Sequence, residues 1–146
     1  WPLFTEGCAK VGRVADRKDW RVAKSIFVAD DERIAQEYGK GANAPYRFYF
    51  QQLGGKLRMA NKLNLFKTEP DQPDDEITTD HMVDTLVITG TVNSVVNQLL
   101  AFREEIGDFG TLVYNGADWV DRDLGRRSMK LMATEVMPRL NAAIED

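Results

Sequence analysis

A helix, a buried strand and a second helix follow one another in the last third of this chain, and their order limits the possible folds most. Apolar residues recur at helical spacing over 92–106, a compact apolar run occupies 110–114, and helical spacing returns over 124–140. Pro138 lacks a backbone N–H, so we expect the last helix to be kinked or loosened near Thr134. Helices that alternate with strands are typical of parallel α/β folds, in which functional side chains gather where the strands end.

The first half of the chain predicts a second strand with helices after it. Residues 20–29 read as a strand, and the acidic cluster 30–32 that follows is suited to a helix N-terminus. The glycines in 39–41 predict the end of that helix, and Pro45 is well placed to begin another. Two clear strands are therefore expected in the whole chain, at 20–29 and 110–114.

The final helix can begin after Asp118 or Asp121, since either carboxylate can cap its first turn. We expect its inward face to be formed by Leu124, Ser128, Met129, Leu131, Met132, Val136 and Leu140.

Four aromatic residues lie within five positions of the helix predicted after Pro45, namely Tyr46, Phe48, Tyr49 and Phe50. Such a stripe most often packs a helix against a core. The alternative is an aromatic wall over a planar cofactor or an apolar substrate. The sequence leaves both interpretations open.

An irregular segment of unusual length separates the two halves. Gly54-Gly55 predicts a weak point, helical periodicity is lost, and two prolines and an acidic run occur before Ile77. We predict a lid-like loop over about 56–77, because long loops in compact domains are often lids or disordered links. Its basic residues Arg58, Lys62 and Lys67 could meet a phosphate, but a solvated surface role is favoured for each.

Composition narrows the classes of function. The formal net charge of -4 argues against nucleic-acid binding, and no apolar run approaches the ~20 residues that span a bilayer. The single Cys8 excludes a disulfide within the chain and suits the cytoplasm. With His81 as its only histidine, the chain is not expected to build a metal site. The 146 residues predict one domain.

An ordered series of short motifs resembles the bacterial luciferase-like flavin-dependent monooxygenases, closest to the limonene-monooxygenase-like branch. The strand 20–29 with its acid-rich helix start, the helix opening 88–91 and the final strand 109–114 all resemble that family. So does the closing helix, through Arg126-Arg127-Ser128 and Val136-Met137-Pro138-Arg139, although Val92 stands where the family often has proline. The resemblance implies an α/β fold that is the helix-rich C-terminal portion of a (β/α)8 barrel, with few parallel strands.

The same resemblance implies a function and its partners. Reduced FMN, supplied by a separate flavin reductase, would react with O2 and oxidise an apolar organic substrate, while the lid keeps out water. The closing helix favours FMN over a deazaflavin. At the strand ends, Asn115 and Trp119 are the predicted substrate-binding residues, and Asp118 is favoured as a helix cap. No catalytic or cofactor-binding residue is predicted, because the family places those mainly in earlier strands.

The start of the chain, Trp1-Pro2 within what reads as the later part of a helix, leads us to expect a preceding segment. The chain would then associate with the missing barrel portion or form an oligomer. Two alternatives remain at this point. One is a self-contained, non-catalytic α/β module that binds a ligand or partner, and the other is a regulatory subunit that has lost its active site.

Overall fold

The computed structural model describes residues 1–117 and 119–145, in which helices and three strands alternate. In chain order the elements are α1 (Pro2–Lys10), β1 (Arg21–Val28), α2 (Glu32–Lys40), α3 (Pro45–Met59), α4 (Thr79–Leu86), β2 (Val87–Gly90), α5 (Val92–Ile106), β3 (Thr111–Asn115), α6 (Arg122–Leu131) and α7 (Met137–Glu145). Short 3-10 turns lie at Arg17–Asp19 and Leu63–Phe66. The predicted α/β class is confirmed.

The three strands form a parallel sheet in the order β2-β1-β3. β3 pairs with the first part of β1, up to Ser25 opposite Asn115, while β2 pairs with the last part, from Ser25 opposite Val87 onward. The expectation of two strands was wrong, because β2 is only four residues long and too short to show a clear alternation. β1 is therefore the central strand, and Ser25 is the one residue paired on both sides.

Helices cover both faces of this sheet. One face of β1 packs against α5, α6 and α7, and the other packs against α2, α3 and α4. Four consecutive residues, Ile26 to Ala29, are almost fully buried. This explains why the end of the strand is apolar on both faces, as in other parallel strands that are covered twice.

Local signals place several helix starts where the sequence predicts them. The Asp31 side chain accepts a hydrogen bond from the Ile34 backbone N–H at 3.0 Å and caps α2. Asp121 accepts from the N–H groups of Asp123 and Leu124, each at 3.0 Å, and caps α6. Asp121 is therefore the capping residue of the two candidates, and Asp118 lies outside the described residues.

Gly54 and Gly55 do not end the helix, although the sequence predicts a weak point there. Gly54 and Gly55 lie inside α3, which continues to Met59, so the irregular segment begins later than 56. A Cβ at Gly54 would lie 2.6 Å from the Cε atom of Met82, so this glycine allows α3 and α4 to approach closely. The local cost of glycine in a helix is outweighed by tertiary packing here.

The end of the chain bears out the effect predicted for Pro138. Residues Met132–Val136 form a π-helical turn, in which the Met137 N–H donates to the Met132 carbonyl. Because Pro138 has no N–H for the Thr134 carbonyl, the α-helical pattern is interrupted at this point. Val136 and Leu140 are buried as expected, but Met129 is 44% exposed and does not belong to the inward face.

The sheet is open on both sides within the described residues, because β2 and β3 each pair only with β1. Three strands cannot close a barrel, which needs eight in this fold type. The chain thus has the few parallel strands expected of part of a barrel. In the same residues, no helix has both the length and the apolarity needed to cross a membrane.

Candidate functional site

The carboxyl end of β1 extends beyond the last residue of its neighbour β3. Side chains form the hydrogen bonds that a longer β3 would form there. The carbonyl of Ile26 and the N–H of Val28 point to the side where β3 has ended. The Tyr46 hydroxyl lies 2.7 Å from the Ile26 carbonyl oxygen, and the Val28 N–H donates to Ser128 Oγ at 2.9 Å. Hydroxyl groups from α3 and α6 thus complete the hydrogen bonding of the central strand.

Tyr46 also connects β1 to β3. Its hydroxyl lies 2.8 Å from the Asn115 carbonyl oxygen, so its single proton is donated either to this carbonyl or to that of Ile26. Burial is the main cause that raises the pKa of Tyr46 above its ordinary value. The tyrosine therefore remains a neutral donor that holds the ends of the two strands together.

Ser128 is fully buried and forms a second polar contact, 3.2 Å from its Oγ to the Tyr114 hydroxyl. Burial raises the pKa of Tyr114, and the hydrogen bond with Ser128 opposes that shift. The sequence pattern places Ser128 on the inward face of the last helix but does not reveal its bond to Val28. The two residues lie 100 positions apart, so no local pattern connects them.

Trp119 lies in an aromatic cluster on the other face of the sheet. Its ring centroid is 5.5 Å from that of Phe27, 6.1 Å from that of Tyr38 in a stacked arrangement, and 5.9 Å from that of Tyr46 in an edge contact. A Cβ at Gly125 would overlap the indole Cγ atom, so this glycine makes room for the ring on the first turns of α6. Trp119 is partly buried.

Asn115, the other predicted substrate-binding residue, lies at a different opening. Its side chain is exposed and lines a cleft of about 300 Å³ together with Tyr49 and Phe50. A separate cavity of about 660 Å³ lies between α2 and α6, lined by Val120 and Asp121, which follow Trp119 in the chain. The structure does not bring Asn115 and Trp119 to one cavity, and their substrate-binding role remains a prediction.

The aromatic stripe of α3 is divided between the core and the surface, so core packing is confirmed for part of it and the aromatic wall stays a prediction. Tyr46 and Phe50 are buried in the core, whereas Phe48 and Tyr49 are 68% and 47% exposed. Phe50 also reaches the cleft beside Tyr49. The helix is therefore a core helix that carries an aromatic edge to the surface.

Two groups at the carboxyl end of the sheet could attract a phosphate, and a carboxylate already occupies each. The N–H of Thr91 at the start of α5 donates to Glu32 Oε2 at 3.0 Å. Arg127 donates to both Asp30 oxygens, at 2.7 and 2.5 Å, and this hydrogen bonding is the main cause that lowers the pKa of Asp30. In this structure, both groups are therefore already paired with carboxylates.

The basic residues of the predicted lid mostly hold that segment in place. Arg58 Nη2 donates to the carbonyls of Asp74 and Ile77, at 3.3 and 3.2 Å, and Lys67 Nζ lies 2.8 Å from Asp74 Oδ1. Lys62 is exposed. His81, which the sequence places in the first turn of α4, has Nε2 3.0 Å from the Phe66 carbonyl oxygen. These contacts join the segment to α3 and α4.

The sequence is related to named monooxygenases over almost its whole length. No family model matches the chain. It is 30% identical over 145 residues to 4-hydroxyprotoasukamycin monooxygenase of Streptomyces nodosus subsp. asukaensis, covering 99% of this chain and 37% of the relative. It is 27% identical over 143 residues to limonene 1,2-monooxygenase of Rhodococcus erythropolis, covering 97% of this chain and 34% of the relative. The similarity to luciferase-like monooxygenases that the sequence motifs indicate is thus confirmed, over little more than a third of each relative.

Solved structures of other proteins share this fold. One is a type II Baeyer–Villiger monooxygenase, the oxygenating constituent of 3,6-diketocamphane monooxygenase from the CAM plasmid of Pseudomonas putida, in complex with FMN. The match has a TM-score of 0.76 and 22% identity, and covers 96% of this chain and 39% of that one. Monooxygenase RslO1 of Streptomyces bottropensis matches with a TM-score of 0.51 and 18% identity, over 94% and 36%. The chain thus spans little more than a third of these proteins, as expected for the C-terminal portion of the barrel.

Proposed function

We propose that this chain acts as the C-terminal portion of a flavin-dependent monooxygenase that uses reduced FMN and O2 to oxidise an apolar organic substrate. The observation that supports this most is the 30% identity over 145 residues to a named monooxygenase. The structural neighbour that binds FMN supports a flavin as the cofactor. When bound, the flavin would supply the activation of oxygen, and the protein would supply position and exclusion of water.

The chain's own contribution is a rigid wall at the ends of the strands. Tyr46 and Ser128 fix the carboxyl end of β1, and Trp119 packs beside it in an edge contact with Tyr46. Because Glu32 and Asp30 already pair with the groups suited to a phosphate, we infer that residues outside this chain hold most of the flavin. Asn115 and Trp119 remain our proposed contacts to the substrate.

We further propose that the chain works in association with the remaining barrel portion or as an oligomer, in the cytoplasm, with a separate flavin reductase. The open sides of β2 and β3 support an association, because proteins usually cover exposed strand edges. α1 buries none of its residues, and Leu3, Val14 and Met59 are exposed apolar side chains. The segment between Met59 and Ile77 is our proposed lid.

A chimera tests the function. The chain would replace the matched C-terminal segment of 4-hydroxyprotoasukamycin monooxygenase, and oxygen transfer to the parent's substrate would be measured with reduced FMN. We expect activity above that of the parent truncated before this segment. Circular dichroism and thermal melting establish that the chimera is folded. A folded chimera that binds reduced FMN yet transfers no oxygen would contradict the proposal.

The second candidate is a non-catalytic α/β module that binds a ligand or partner. One observation favours it, namely that helices cover both faces of the sheet and give the chain a two-sided core of its own. This candidate predicts a monodisperse monomer that neither binds flavin nor associates with the barrel portion of a relative. Sedimentation of the chain, alone and mixed with that portion, separates the two candidates.

A further inference from the structure

The sheet has an open notch beside the first half of β1. β2 begins at Val87, opposite Ser25, and Ala23 points its backbone N–H and carbonyl to the same side as Ser25. Among the described residues, no strand pairs with Ala23 on that side. A cleft of about 300 Å³, near the lower limit for ligand pockets, is lined by both residues and by Leu86, which precedes β2.

Lys24 places a positive charge at this cleft. It interrupts the apolar alternation of β1, and its side chain is half-buried. Its Nζ atom lies 4.4 Å from the centroid of the Phe102 ring, a cation–π contact that holds the ammonium group in place. Burial is the main cause that lowers the pKa of Lys24, and the charge of Glu105 opposes that shift. The cost of burying the charge is therefore only partly offset.

The ammonium group of Lys24 has hydrogen bonds left to donate. It carries three N–H groups, and within the described part of the chain no carboxylate or carbonyl accepts from them. Asp84 and Glu105 line, together with Lys24, a neighbouring cleft of about 250 Å³. An anion that reaches Lys24 gains a partner for a half-buried charge, while the two nearby carboxylates disfavour a ligand with more than one negative charge.

Aromatic rings form another part of the wall of this cleft. Tyr49 and Phe50 line it from α3, and Phe102 lines it from α5. The rings of Tyr49 and Phe50 are in edge contact, with their centroids 5.1 Å apart. Rings that line a cleft can stack on an aromatic ligand or meet its edge, and they favour a flat ligand for that reason.

We propose that this cleft binds a small aromatic carboxylate, with Lys24 as its counter-ion and the aromatic side chains of α3 and α5 in contact with its ring. The single cation selects one negative charge, and the rings select a flat body. Asn115, our proposed substrate contact, borders the same cleft, but this ligand requires neither flavin nor oxygen. Its binding therefore holds or fails independently of the proposed monooxygenase function.

Benzoate and benzamide are the probes, because they have nearly the same shape and only benzoate is charged. Each is titrated into the chain labelled at alanine and leucine methyl groups, and the chemical shifts are followed by NMR. We expect saturable shifts at Ala23 and Leu86, with benzoate bound more tightly than benzamide. Lys24→Met should weaken benzoate about ten-fold, the lower end of the range for hydrogen bonds to charged groups because the cleft is open to solvent, and should leave benzamide unchanged.

Lys130→Met is the matched control, because it removes the same charge from an exposed position on α6, and it should change the affinity for neither probe. If Lys24→Met does not fold, Tyr49→Ala gives a second route, since this side chain is 47% exposed and its loss should weaken both probes. Equal affinities of benzoate and benzamide for the unaltered chain would overturn the proposal. So would a Lys24→Met variant that loses no more affinity for benzoate than Lys130→Met, or a Tyr49→Ala variant that weakens neither probe.

Discussion

Replacing Ser128 with alanine tests whether a side chain stands in for a strand beside β1. Ser128 is fully buried, and its Oγ accepts the N–H of Val28, which is also fully buried. Ser128→Ala leaves that N–H without a partner, and an unpaired buried backbone group costs about 1–3 kcal/mol. The free energy of unfolding should fall by about 2 kcal/mol, which corresponds to a melting temperature lower by about 4–8 °C for a domain of this size.

The assay is urea unfolding followed by circular dichroism, together with hydrogen exchange of the Val28 amide. Ser25→Ala is the matched control, because Ser25 is buried on the same strand but its Oγ has only a 3.5 Å contact, with Asn115 Nδ2. We expect it to cost less than about 1 kcal/mol. Val28 should exchange faster in Ser128→Ala and normally in Ser25→Ala. Equal costs for the two variants, with Val28 equally protected in both, would refute the reasoning.

The remaining predictions concern a glycine pair and an ion pair. Gly55→Ala should raise the free energy of unfolding by about 0.5–1 kcal/mol, whereas Gly125→Ala should lower it by about 1–3 kcal/mol through overlap with Trp119. Chemical denaturation measures the free energy of unfolding of both variants, and the fluorescence of Trp119 should change only in Gly125→Ala. Because Arg127 lowers the pKa of Asp30 in the folded state, the stabilisation by this pair exists above the unfolded pKa of about 3.9 and is lost as pH falls further. Asp30→Asn should therefore lower the free energy of unfolding slightly at pH 7, and this cost should shrink as the pH falls through the lowered pKa of Asp30.

Each of these predictions can be contradicted by a specific result. A stabilising Gly125→Ala would show that the indole ring does not rest on that glycine. For the ion pair, the substitution Asp75→Asn at an exposed position provides the control. An Asp30→Asn variant whose cost is the same at pH 7 and pH 2 would exclude ionisation of Asp30 as the source.

Features that depend on neighbours within one helical turn could be predicted from the sequence. The Asp31 cap, the start of α3 at Pro45 and the interruption caused by Pro138 all involve residues at most five positions apart. The short strand β2 could not be predicted in this way, because four residues are too few to show an alternation of apolar and polar side chains. Gly54 was misread because the close approach of Met82, and not any local preference, explains it.

The candidate site was less accessible to prediction, because its decisive contacts join distant parts of the chain. Asp30 and Arg127 are 97 positions apart, and Tyr46 and Asn115 are 69 apart. The sequence predicts function at the strand ends and names Trp119 there. It could not show that the indole packs on Gly125, nor that Asn115 opens onto a different cleft. Such facts arise only when the helices pack on the sheet.

The central claim is that this chain is one portion of a flavin enzyme and that the remaining portion of the barrel holds most of the cofactor. Titration with oxidised and with reduced FMN tests this claim. Flavin fluorescence would be followed with the chain alone and with the chimera described above. We predict no saturable change with the chain alone and saturable binding by the folded chimera. Tight binding by the chain alone, or a folded chimera that binds no flavin, would contradict the account.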